Sequence, residues 1–172
     1  MSDLKDGCTL EEAKQWLRDR FDDGASCPCC HQYVKLYKRK LNSSMALAAV
    51  YIFKYFQANP DTDWLHVPSY LSRIISSATV RGGDWSKLRY WGLIEDQKGV
   101  RSDGSERVGN YRITPAGKAF VAGTLRVPKH VFLYNGTVVK REDSETTSID
   151  EALGDRFSYV ELMDDAPRLR VQ

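Results

Sequence analysis

The stretch MALAAVYIFKYF, Met45 to Phe56, decides most of what this chain can become. It carries one charge, Lys54, and is apolar nearly all the way round a helix. A helix without a polar stripe has to be enclosed on every side. The remaining elements of a 172-residue chain must therefore wrap around it. Asn59-Pro60 stops this helix, and Ser43 or Ser44 is its expected cap.

The flanking segments supply the wrapping. Thr9 and Glu12 form a capping box ahead of a helix in TLEEAKQWLRDRF, where Leu10, Ala13, Trp16, Leu17 and Phe21 share one face and Asp22-Asp23-Gly24 ends it. HVPSYLSRIIS reads as a third helix with Pro68 at its first position and Val67, Leu71, Ile74 and Ile75 in a stripe. DWSKLRYW reads as a short fourth helix, beginning late because Gly82-Gly83 weakens helix by roughly 1 kcal/mol per glycine. Trp85 and Leu88 share its inner face, and Ser86, Lys87 and Tyr90 lie opposite, with Arg89 at the margin. GLIEDQ and NYRIT read as two strands joined by a long loop, followed by a helix capped by Thr114 with Pro115 first. After Val127-Pro128, KHVFLYNGTVVKR alternates around Asn135-Gly136, a strong hairpin signal. SIDEALG reads as a short helix, FSYVELM as a short strand, and the tail from Asp164 as unpatterned.

Charge is unevenly laid out. Residues 1–26 hold four basic and seven acidic groups, residues 27–126 fifteen and seven, and residues 127–172 six and nine. The net values are −3, +8 and −3, so the positive charge sits in the middle, as expected of a chain that meets a polyanion there. No apolar run is long enough to span a membrane. The acidic, polar start MSDLKDGCTLEEAKQW does not read as a secretory leader, so a cytoplasmic location is expected. The three histidines are isolated, and no phosphate-binding glycine loop, nucleophile elbow or paired carboxylate motif occurs. An enzyme is not expected.

LRYWGLIE followed by YRITPAGKAF resembles the signature of MarR-like winged helix-turn-helix proteins, over about half the chain. Gly92-Leu93-Ile94 and Ile113-Thr114-Pro115-Ala116-Gly117 carry the resemblance. It implies an α+β fold: a winged helix-turn-helix core over residues 42–126, preceded by a helix and cysteine knuckle over 1–41 and followed by a small hairpin-containing unit over 127–163 and a tail, 164–172. It also implies a duplex-DNA-binding regulator. Arg81, Ser86, Lys87, Arg89 and Tyr90 would then present the reading helix, and Lys98, Arg101 and Arg107 the wing. Lys35, Lys38, Arg39 and Lys40, interleaved with Tyr33 and Tyr37, form a second basic run suited to a phosphate backbone. The stretches CPCCHQYVKLYKRKLNSSMA, WSKLRYWGLIE and VPKHVFLYNG are similar to small phage and prophage proteins. That similarity implies a bacterial host cell and keeps a second role open: an inhibitor docking on a host protein or ribonucleoprotein complex, with Tyr90 and Trp91 as anchors. Winged-helix regulators often dimerise, and the 127–163 unit is the expected contact or an accessory subdomain.

Cys27-Pro28-Cys29-Cys30 contains one C-x₂-C pair and resembles the zinc-ribbon knuckle, with His31 where glycine is usual. Four ligands close a structural zinc site. Cys27 and Cys30 are the candidate pair, and His31, His66 or His130 the candidates to complete it, with Cys8 and Cys29 also available. A metal-free turn of small apolar thiols is the alternative.

Overall fold

The computed structural model describes residues 7–76, 82–99, 102, 104 and 109–165. It is a mixed α and β chain with small antiparallel sheets. The apolar segment forms the central helix α2, Ser43–Ala58, buried from Ser44 through Tyr55 at all but one position. Its cap is Asn42, one residue earlier than expected, because the Asn42 side chain reaches the Met45 amide at 2.9 Å while Ser44 is buried inside the first turn.

N-terminal to α2 lie α1, Leu10–Arg18, with the expected Thr9–Glu12 capping box, and three strands: β1, Ala25–Ser26; β2, Tyr33–Val34; and β3, Tyr37–Lys40. The basic run is thus a strand, with every residue from Tyr37 to Lys40 exposed.

After α2 come β4, Leu65–His66, then α3, Val67–Ile74, a 3₁₀ helix, Asp84–Trp91, and the strands β5, Ile94–Asp96, and β6, Asn110–Ile113. The strand at Leu65–His66 takes the residue expected to start the third helix. It pairs with β6, Leu65 opposite Tyr111, giving an antiparallel sheet in the order β4-β6-β5.

The fourth helix is 3₁₀ rather than α. At three residues per turn, Trp85, Leu88 and Trp91 eclipse one another, and all three are buried. Trp91, expected as an exposed anchor, instead donates its indole N–H to the Pro128 carbonyl at 2.6 Å. Gly92 then turns the chain at φ 70°. Helix α4, Pro115–Val121, is capped by Thr114 as expected.

The C-terminal part adds β7, Val127–Pro128; the hairpin β8, His130–Tyr134, and β9, Thr137–Arg141; β10, Thr146–Thr147; α5, Ile149–Leu153; and α6, Tyr159–Asp164. Asn135 and Gly136 both take positive φ, as the hairpin turn requires. β3 joins this hairpin from more than ninety residues away, giving a sheet in the order β3-β8-β9.

FSYVELM is not a strand. Ser158 caps the Glu161 amide, and Lys54 from α2 donates to the Leu162 and Asp165 carbonyls, so the backbone groups that a lone short segment leaves open are met as a helix. Lys54 is itself 6 % exposed. Lys54→Met keeps the stem but leaves those buried-side carbonyls without their donor. A loss of about 1–3 kcal/mol is expected, together with faster amide exchange confined to α6.

Candidate nucleic-acid interface

The three strands of β3-β8-β9 hold Lys38, Arg39, Lys40, Lys140 and Arg141 and no acidic residue. Register determines how these charges are displayed. Lys38 stands opposite Phe132, and Phe132 opposite Lys140, so the three share one face of the sheet. Their contacts agree: Lys38 Nζ lies 5.5 Å and Lys140 Nζ 5.4 Å from the centre of the Phe132 ring. Val131 and Leu133 point the other way and are buried, which anchors the sheet to the core. A bulge between Phe132 and Leu133 sets this register and leaves Val139 exposed. Tyr134 stacks on Phe21 at 5.3 Å, tying the hairpin to the end of α1.

One acidic spot borders the sheet. Glu142 pairs with Lys38 at 3.1 Å and with His130 Nδ1 at 2.7 Å, and Glu145 pairs with Lys129 at 2.5 Å. The Lys38 ammonium first, and His130 after it, holds the Glu142 carboxyl below its usual range, and Lys129 does the same for Glu145. These pairs face solvent and add little stability. Lys35, Arg39, Lys40 and Lys140, by contrast, form no salt bridge among the described residues. They are cations available to an outside anion.

The expected reading helix is less open. Ser86, Lys87, Arg89 and Tyr90 are each half-buried. Lys87 is ion-paired with Asp84, and Ser86 donates to the Gly83 carbonyl at 2.8 Å. The Arg89 guanidinium lies 5.1 Å above the Tyr90 ring. The tight 3₁₀ winding causes this, because it brings polar side chains back against their own helix. Lys98, just past β5, pairs with Asp96 at 2.9 Å and holds that carboxyl below its usual range. Arg81, Arg101 and Arg107 lie outside the described residues.

The structure does bring Arg89, Tyr90 and Lys98 together. They line an open groove of about 870 Å³ whose opposite wall is Gly136, Thr137 and Val138 of the β8–β9 turn. Arg141 of β9 donates to the Tyr90 carbonyl at 3.1 Å. The groove and the cationic sheet thus share β9, and β3 lies two strand spacings away, roughly 10 Å. Phe132, Lys140 and Arg141 were not among the expected contacts. The alternation in KHVFLYNGTVVKR signals an outward Phe132, but an unbulged two-residue turn pairs it with Val139 rather than Lys140.

At the N-terminal hairpin, the Cys27 amide donates to the Gln32 carbonyl and the His31 amide to the Cys27 carbonyl, each at 2.8 Å. The backbone amides of Cys30 and Cys29 bond the Cys27 sulfur and pull its pKa below the usual thiol value. Burial first, then the charge of Cys27, pushes Cys29 up. Neither His66 nor His130 joins this pair. His66 Nδ1 lies 2.7 Å from Ser69 Oγ, and His130 is held by Glu142. His130, Glu142 and Glu145 form their own group, with ligand atoms within 4.8 Å, but Lys38 and Lys129 already neutralise both carboxylates. No helix among the described residues is long and apolar enough to cross a membrane. Comparison with protein-family models, curated proteins and solved structures finds no match to this chain.

Proposed function

We propose that the chain is a winged-helix protein that binds duplex DNA, acting as a transcriptional regulator, and that its principal grip is the cationic sheet β3-β8-β9. Support for the scaffold comes from the order helix, strand, helix, helix, strand, strand and from the sheet order β4-β6-β5, which places the third strand of the unit between the other two. The observation that carries the function is the sheet of five cations without an acid, four of them facing no acidic partner or only the Tyr90 carbonyl. A duplex lying across β9 meets Lys38, Lys40 and Lys140 on the Phe132 side of the sheet and the Arg89–Lys98 groove beside β9. The 3₁₀ helix, with its lysine already paired, contributes positioning more than depth in the major groove. Phosphate contacts of this kind position a protein without reading sequence.

The test is fluorescence anisotropy with a labelled mixed-sequence duplex. Saturable binding at low salt is expected, with log K falling linearly in log salt at a slope of about −4 for four or five phosphate contacts. No binding at low salt, or binding indifferent to salt, removes the proposal.

A further inference from the structure

We propose that the Phe132 face of β3-β8-β9 is a stacking platform for unpaired bases, so that the sheet also takes single-stranded nucleic acid. This role rests on the phosphate-binding reading above and extends it to a second class of ligand.

The feature that carries it is an aromatic ring set among cations. Along β8, Val131 and Leu133 are buried, and His130, Phe132 and Tyr134 alternate with them on the outward side. Phe132 is the middle residue of the middle strand and is half-buried. Its cross-strand neighbours are Lys38 on β3 and Lys140 on β9, with ammonium groups 5.5 and 5.4 Å from the ring centre. Lys40 continues the same face, opposite His130.

The bulge in β9 creates this arrangement. Unbroken pairing back from the Asn135-Gly136 turn puts Val139 opposite Phe132, an ordinary apolar cross-strand pair. The register shift substitutes Lys140 and leaves Val139 exposed. Two apolar side chains thus forgo each other's cover, and the ring has a cation on each side. Single strands are held by that combination, the ring taking a base and the cations the backbone.

Geometry separates the two kinds of nucleic acid. In a duplex the bases follow one another at about 3.4 Å along each strand and offer the grooves only their edges. Cations alone suffice for such a ligand, and a ring among them has nothing to stack on. Alternate residues of a β-strand stand roughly 7 Å apart. Phe132 and Tyr134 therefore match bases drawn apart from one another, the form in which unpaired bases stack on aromatic side chains. Tyr134 is exposed and is backed by the Phe21 ring at 5.3 Å. Lys40 and Lys140 form no salt bridge among the described residues, so both are open to the phosphates that flank a stacked base. Glu142, paired with Lys38 and His130, stands at the end of the row away from the turn, which favours the Phe132–Tyr134 half for an anionic strand. Stacking of this kind accepts any base.

The test uses the full chain and two labelled probes, an oligothymidylate of about ten nucleotides and a mixed-sequence duplex of the same length, in low-salt anisotropy titrations. Phe132→Leu, which keeps an apolar residue in β8, is expected to weaken single-strand binding about tenfold. The ratio of single-strand to duplex affinity is expected to fall by nearly as much. Phe132→Trp is expected to bind the single strand at least as tightly as the unaltered protein. The salt slope of single-strand binding stays the same in both variants, because no phosphate contact is lost. Oligouridylate run in parallel shows which sugar the face prefers, and a Phe132-dependent affinity for either strand supports the platform. In the unaltered protein, intermolecular NOEs are expected between the Phe132 ring and thymine protons, a readout independent of how any variant folds. Duplex binding without single-strand binding, losses in Phe132→Leu that are equal on the two probes, or a single-strand complex without Phe132–thymine contacts overturns the platform and leaves the duplex reading standing. Binding to neither probe removes both.

Discussion

Arg39→Ala, Lys40→Ala and Lys140→Ala combined are expected to weaken duplex binding by about a hundredfold or more near 0.1 M salt, and to flatten the salt slope by about three. The three residues are chosen because none forms a salt bridge among the described residues, so their removal leaves no acid without its partner. Lys38 is deliberately spared. It neutralises Glu142, and its loss would place an uncompensated carboxylate beside the sheet, confusing a lost contact with a new repulsion. Each removed cation releases one fewer counterion on binding, so the affinity loss must shrink as salt rises. Fold should be unchanged, since the three side chains are exposed and the sheet is anchored through Val131 and Leu133. Lys87→Ala and Lys98→Ala serve as contrast. Both lysines already face acids, Asp84 and Asp96, and each change is expected to cost no more than about threefold. Anisotropy titrations of all three variants at three salt concentrations separate these outcomes. Equal losses for Lys98→Ala and the triple variant would move the grip from the sheet to the Arg89–Lys98 groove.

Gly117→Ala is expected to be the most destabilising single methyl addition among the described residues. A Cβ at this position would sit on the Leu93 carbonyl oxygen, far inside van der Waals contact, and 2.8 Å from Ile113 Cγ1. Neither neighbour can yield. Leu93 accepts the Thr114 amide at 3.1 Å, and Ile113 pairs with Ile94 in the sheet. Helix α4 would have to lift off Leu93 and Ile113, taking the fully buried Phe120 with it. A loss of about 3 kcal/mol or more follows, with Tm falling by about 10 °C in a thermal melt. Gly123→Ala is the control. It has open space but φ 78°, so it meets only the left-handed backbone cost, about 1 kcal/mol. Comparable losses in the two variants would mean that α4 packs less closely on Leu93 than described.

These two positions also mark what can be read from sequence and what cannot. Gly117 stands out within ITPAGKAF, but the reason for glycine there is a carbonyl 24 residues earlier, visible only once α4 is docked. Local chemistry was legible where the deciding contacts are local. The Thr9–Glu12 capping box, the Thr114 cap, the left-handed Gly92 and the Asn135-Gly136 turn all appear as expected. The all-round apolarity of α2 correctly placed it at the centre.

Expectations failed where a distant partner decides. Leu65–His66 is a strand because Tyr111 and Asn110 offer it a ladder, and 159–164 is a helix with Lys54 meeting its last carbonyls. The Asp84–Trp91 segment has a period of three that an α-helical wheel hides, which turned Trp91 from an expected anchor into a core residue. The candidate site divides the same way. Lys35, Lys38, Arg39 and Lys40 were visible as a run of charge. Their alignment with Phe132 and Lys140 was not, because it depends on pairing across more than ninety residues and on a bulge that shifts the hairpin by one.

The most direct measurement of the central claim is amide chemical-shift mapping of the full chain, titrated with a short mixed-sequence duplex at low salt. Shifts concentrated in Tyr37–Lys40, Thr137–Arg141 and the Arg89–Lys98 groove, reversed by added salt, are the predicted result. Shifts confined to α5 and α6, or none at duplex concentrations in excess of protein, would contradict it.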